Sequence, residues 1–319
     1  MGNQTPSKWV SRPPLLRARA ALGVARVGSD IFAVGGFTDE RVWPDTEARH
    51  ATGDLDWHEV KKIPQARANH ATAVVAGLIY AIGGIRSNDK SLDSVEVYDP
   101  VSGHWTNGPR LPERRNSASA AGLGGLLYLV GGFIPSGPDS GTTTDSVLVH
   151  DPAGNGWTAL SPMPTPREKF RLVALEDHLY ALGGFSADEQ SMSSVERYDP
   201  ARDQWSAVHD MQESRILACV VATKIGHRPV IVAVAGTEAK DGVPIGSRRT
   251  TEIYDPAMDR WSLLDVLLPK PRGSVDGTVE QEGTVVIVGG VTTPHADGSR
   301  AFVSDVDALD LEHSGAEFE

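Results

Sequence analysis

Four charged side chains stand where chemistry could be done: Glu168, Lys169, Arg171 and Asp276. A carboxylate can take a proton from substrate, and a nearby ammonium or guanidinium can hold an anionic substrate or the charge that develops as the proton leaves. Glu168 or Asp276 would be the base and Lys169 or Arg171 the cationic partner. The same groups could bind an anion without turning it over, or Arg171 and Asp276 could simply neutralise each other. The histidines, including His58, His70, His178, His227 and His295, form no pair at metal-ligand spacing on one element. No Gly-Lys-Ser/Thr phosphate loop and no Gly-x-Ser-x-Gly elbow occurs, so neither a metal nor a cofactor is expected.

What positions these four is a recurrent arginine. Glu168, Lys169 and Arg171 follow Arg167 at one, two and four residues, and Asp276 follows Arg272 at four, while the same arginine returns at Arg19, Arg67, Arg115 and Arg215. It belongs to a longer phrase, clearest between Ile63 and Trp105. That phrase runs Arg67, an apolar run closed by Gly83-Gly84, Tyr98 before Asp-Pro, and Trp105 seven residues after the tyrosine. Gly-Gly recurs at 35/36, 131/132, 183/184 and 289/290, with Ala235-Gly236 as a degraded copy, in steps of 48, 48, 52, 52 and 54 residues. A period near 50 is the mark of a repeat architecture. Within the second unit, 69–75, 78–82, 94–98 and a segment from Trp105 are short runs bounded by Gly, Pro and Asp, which read as four antiparallel strands.

Gly-Gly after an apolar strand, an aromatic before Asp-Pro, and Trp seven residues later resemble the Kelch repeat, over nearly the whole chain. His50, His150 and Leu309 depart from the pattern at the Tyr position. The resemblance implies a single all-β domain, residues 1–319: a six-bladed Kelch-type β-propeller with four antiparallel strands per blade. Blades fall at about 20–62, 68–110, 116–162, 168–210, 216–266 and 273–312. The last unit has no Trp of its own, but Trp9 precedes Arg19 by the ten residues seen at Trp57/Arg67 and Trp105/Arg115. The N-terminal strand 8–12 is therefore expected to close the sixth blade, which removes the open sheet edges of a partial ring.

The Tyr-to-Trp spacing is seven in every intact unit, whereas the loop after Gly-Gly varies in length. Insertions of unequal length collect on the binding face of repeat proteins. That assigns binding to loops 37–46, 85–93, 133–145, 185–193, 237–250 and 291–304. In Kelch adaptors, ligand contacts come from the residues just past the arginine and the residue after Gly-Gly, which implies Phe37, Phe133 and Phe185 with Asn69, Asn116, Lys169 and Arg171 around the channel mouth. Trp43 joins them as the one tryptophan outside the repeat register. The six arginines, present in every blade, read as braces.

The resemblance does not extend to Kelch-fold enzymes. Copper oxidases would need His and Tyr ligands with a cross-linkable Cys, which Cys219 does not find, and the iron-binding pattern of the specifier proteins is missing. Kelch-fold sialic-acid epimerases show that cofactor-free chemistry is compatible with the fold, but no motif specific to them appears. A net charge of −12 without a long basic run disfavours nucleic acid and anionic membranes as partners. One cysteine forbids an intramolecular disulfide framework, and neither a signal-peptide core nor an apolar run of membrane-spanning length is present. The expectation is a cytosolic monomer that binds a small molecule or peptide at the channel mouth, or else a cofactor-independent isomerase or lyase using the same mouth.

Overall fold

The computed structural model describes residues 8–87, 90–137, 140–292 and 300–312. Parts of loops 85–93, 133–145 and 291–304, and His295, lie outside the described residues. Six four-stranded antiparallel sheets are arranged as blades about one axis. The innermost strands are Gly23–Val27, Ala71–Val75, Ser119–Leu123, Arg171–Leu175, Cys219–Ile225 and Asp276–Gln281. They begin with mostly small residues because six strands converge there. The second strands, such as Asp30–Val34 and Leu78–Ile82, are nearly all apolar and buried, since blades cover both of their faces. Outer strands such as His104–Asn107 are largely exposed.

The sixth blade is completed by the other end of the chain. Val10–Arg12 pairs antiparallel with Val306–Asp310 (Val10↔Ala308, Arg12↔Val306), and Trp9 is buried among Val230, Val232 and Leu309. A buried carboxylate locks this junction: Glu280 of the sixth blade meets Arg12 at 2.6 Å and Arg49 of the first blade at 2.7 Å. Five of the six repeat tryptophans reach back to the preceding blade, whereas the buried Trp9 indole N–H has no partner among the described residues. Trp57 Nε1 donates to Pro13 O at 3.1 Å, Trp105 to Lys61 O at 2.8 Å, and Trp157, Trp205 and Trp261 make the matching bonds. Trp9, Trp57 and Trp261 are buried, while Trp105, Trp157 and Trp205 are half-buried, so the repeat tryptophan is a staple between blades more than a uniform core residue.

The loops after Gly-Gly are tied back on themselves by strand pairing. Three form two-stranded hairpins: Ile85–Arg86 with Lys90–Ser91, Phe133–Pro135 with Gly141–Thr143, and Thr237–Lys240 with Val243–Ser247. The other three close through single bridges, Phe37↔Val42, Phe185↔Ser191 and Val291↔Phe302.

Candidate functional site

The recurrent arginines are fully or almost fully buried and brace the blades. Arg67 Nη1 donates to Gly83 O at 2.9 Å, and Arg115, Arg167, Arg215 and Arg272 make the same bond to the first residue of their own Gly-Gly pair. Five of the six also meet a carboxylate on the third strand: Arg19 with Glu47, and Arg67, Arg167, Arg215 and Arg272 with Glu96, Glu196, Glu252 and Asp307 at 2.7, 3.3, 2.6 and 2.6 Å. Leu148 stands at that register in blade 3.

Each arginine carbonyl accepts a hydrogen bond from the second glycine of the blade before it, in a series that ends with Gly290 N→Arg19 O at 2.9 Å. A Cβ on the first glycine would collide with that carbonyl, as at Gly83 against Arg115 O, which explains the pair. Ala235 holds the same left-handed conformation at φ 58°.

A second belt lies nearer the axis. The residue two past each arginine (Ala21, Asn69, Ser117, Lys169, Leu217, Ser274) is left-handed, with φ between 48° and 55°. That geometry turns the peptide groups tangentially. Asn69 N donates to Ala21 O, Ser117 N to Asn69 O, Lys169 N to Ser117 O, Leu217 N to Lys169 O, Val275 N to Leu217 O and Ala21 N to Ser274 O, at 2.8–3.2 Å. Beneath the belt a cavity of about 20 Å³, touched by His70, Phe170 and Arg171, has room for about one water.

Two of the residue sets picked out in the sequence meet directly. Phe37, Ile85, Phe133, Phe185, Thr237 and Val291 bridge Ala20, Ala68, Asn116, Glu168, Ile216 and Gly273, the residues just past each arginine. Glu168 pairs with Lys169 at 2.9 Å, and the Lys169 ammonium sits 4.8 Å above the Phe185 ring. Asn116 donates to Ser91 Oγ at 2.7 Å and accepts from Ser117 at 2.8 Å, and Phe37 packs edge-on against Phe302.

The four charges do not converge. Arg171 reaches across the axis to Ala218 O at 2.7 Å and Val275 O at 2.6 Å, and lies 3.7 Å from Asp276, whose carboxylate accepts from Val24 N at 2.9 Å. Burial raises the Asp276 pKa, with Arg171 opposing. The belt contributed by Lys169 and its counterparts divides the group into Glu168–Lys169 beside Phe185 and Arg171–Asp276 within the channel. Trp43 is also committed locally: its indole N–H donates to Thr38 at 3.3 Å, and the Arg41 and Arg17 guanidiniums lie 3.7 and 5.1 Å from its ring.

Two features escaped the sequence reading. His70 is buried with neither ring nitrogen bonded, and burial, then Arg67 and Arg171, depress its pKa to about 3. At the opposite face, a cavity of about 670 Å³ is lined by Arg26, Leu175, Lys224, His227, Val279 and Glu282 among others. Blade 5 overhangs it with strands of seven residues (Cys219–Ile225, Arg228–Val234) where the corresponding strands of the first four blades have five. Its sequence signal is the pair of apolar stretches on either side of Gly226, which lies outside the loops after Gly-Gly.

Comparison with known proteins agrees with this architecture. The Kelch motif family matches residues 66–112 and 166–212, and a second Kelch motif family matches 114–164. This chain is a Kelch-repeat β-propeller. Among curated relatives of the propeller, an F-box/kelch-repeat protein of Arabidopsis thaliana is 31% identical over 153 residues, covering 46% of this chain and 36% of the relative. Kelch-like protein 35 of Mus musculus is 32% identical over 139 residues, covering 43% and 22%. The matches thus span about a third or less of these relatives' length. The solved structure of YjhT superposes with a TM-score of 0.78 over 92% of this chain and 95% of that one, at 14% identity, a likeness of fold alone. Among the described residues, no cluster of His, Cys, Asp and Glu could hold a metal ion, and no helix is long and apolar enough to cross a membrane.

Proposed function

We propose that this Kelch propeller binds a peptide segment of a protein partner on the face bearing the post-Gly-Gly hairpins. Phe37 and Phe133 would supply apolar contact, with Asn69, Asn116 and Lys169 supplying polar contact, while Phe185 is buried against Ile216 and Ala239 beneath the Lys169 ammonium and supports that rim from below. The observation that carries this reading is the inner backbone belt. A ring of peptide hydrogen bonds over a one-water cavity closes the axis and leaves binding to the rim, where Phe37, Arg41, Ile85 and Arg300 line a cavity of about 290 Å³, which suits a segment laid across the rim with one side chain in that cavity. The single, buried Cys219 suits a reducing compartment, and the binding form is taken as a cytosolic monomer. Acid–base turnover draws no comparable support. Glu168 faces Lys169 at the rim, whereas Asp276 is held by Arg171 and Val24 N below the belt.

The test is selection of peptides from a displayed random library against the intact propeller. Selected peptides should lose at least about tenfold in affinity, or about 1.4 kcal/mol, toward Phe133→Ala and Lys169→Ala. They should bind Lys224→Ala, on the opposite face, as they bind the parent. Peptides that tolerate both rim substitutions would contradict the proposal.

A further inference from the structure

Six copies of one brace within a single chain provide their own control, and one copy is incomplete. In four blades the third-strand carboxylate also takes a second donor from the segment before the arginine: Glu47 from Leu16 N at 2.8 Å, Glu96 from Gln65 N at 3.2 Å, Glu196 from Thr165 Oγ1 at 2.6 Å and Glu252 from Gln212 N at 2.6 Å. The acid is thus an acceptor that gathers the donors of its blade. In blade 3 the donors remain and the acceptor is gone. Among the described residues the Arg115 side chain, 3% exposed, has one hydrogen bond, to Gly131 O at 3.1 Å, and no carboxylate within ion-pairing distance; the exposed Glu113 acts on it only from farther off. Among the described residues the buried Ser146 hydroxyl has no partner, although its counterparts Ser94 and Ser194 accept from Arg67 and Arg167 at 2.9 and 3.2 Å. Burial lowers the Arg115 pKa to about 10, so it stays a cation at neutral pH.

We infer that the Arg115–Ser146 socket of blade 3 binds a small monoanion, of the size of chloride or formate, in the place the other blades fill with a carboxylate. The leucine that replaces the acid ends one bond short of the positions of carboxylate oxygens. Bulk across the pair does not close the space by itself, because Ile287 stands opposite Asp307 in blade 6 and the Arg272–Asp307 bridge is intact. Access is short, since Glu113 and Arg114, which precede the guanidinium, are exposed. An unpaired buried cation is costly, and an anion that binds only the folded state stabilises that state by mass action.

The experiment measures the Tm of the intact protein at constant ionic strength as methanesulfonate is replaced by chloride or formate. A parallel series uses Leu148→Glu, which supplies the acceptor internally. The wild-type Tm should rise by about 1–3 °C more than that of Leu148→Glu, and the variant should start from the higher value. Equal responses of the two proteins would overturn the inference. If Leu148→Glu does not fold, crystals of the wild type soaked in bromide decide: an anomalous peak at hydrogen-bond distance from the Arg115 guanidinium supports the socket, and bromide at surface positions only refutes it.

Discussion

At the scale of single residues, the stability of the ring rests on where charge is buried and how it is matched. Arg167→Met leaves Glu196 buried without its partner and should cost about 3–5 kcal/mol in urea unfolding. Arg115→Met strands no carboxylate and should cost clearly less, so equal losses would show that the ion pairs do not set the strength of the brace. His70 gives a pH signature. Its folded pKa of about 3 lies below the usual 6.5, so the unfolded chain takes up a proton that the folded chain refuses. Its contribution is fully present above pH 6.5 and is lost as pH falls toward 3, at up to about 1.4 kcal/mol per pH unit. Phe170 occupies the same place in blade 4, so His70→Phe should fold and should flatten the acid limb of stability against pH. An unchanged limb would mean that His70 is protonated in the folded state. The sequence showed the arginine ring plainly, because period and spacing are one-dimensional. It showed the exception less plainly, since Leu148 is an ordinary strand residue until it is set beside Glu47, Glu96, Glu196, Glu252 and Asp307.

At the scale of elements, closure was legible from a missing tryptophan and a spare one. What the spacing could not reveal was the lock across it, because Arg12, Arg49 and Glu280 are separated by most of the chain and meet only once the ring is closed. Removing residues 1–12 should expose the edge of Val306–Asp310, vacate the Trp9 site and leave Arg49 and Glu280 without Arg12. The product should melt lower and aggregate; a soluble truncation with the parent's midpoint would contradict this. Trp57→Ala, a buried large-to-small change at the same junction, should cost about 3–5 kcal/mol. Trp105→Ala should cost less, since its ring is half-buried. The shared repeat position of the six tryptophans does not reveal this difference. Periodicity reports position, whereas burial depends on the width of the gap that each pair of blades leaves.

At the scale of the whole molecule, six similar blades make an almost symmetric body whose function must come from the places where symmetry breaks. The sequence singles out one such set of chain positions, the residues past each arginine and after each Gly-Gly, and the backbone joins them one to one. It did not reveal that the belt parts the charges, because left-handed backbone at Ala21, Asn69, Ser117, Lys169, Leu217 and Ser274 carries no residue signature. The rim outside the belt is therefore the proposed binding surface, and the Arg171–Asp276 pair is part of what fills the axis. Hydrogen–deuterium exchange of the propeller with and without a selected peptide tests that most directly. Protection confined to the loops around Phe37, Phe133 and Phe185 is the predicted result, and protection of the blade 5 hairpin Cys219–Val234 over the 670 Å³ cavity instead would contradict it.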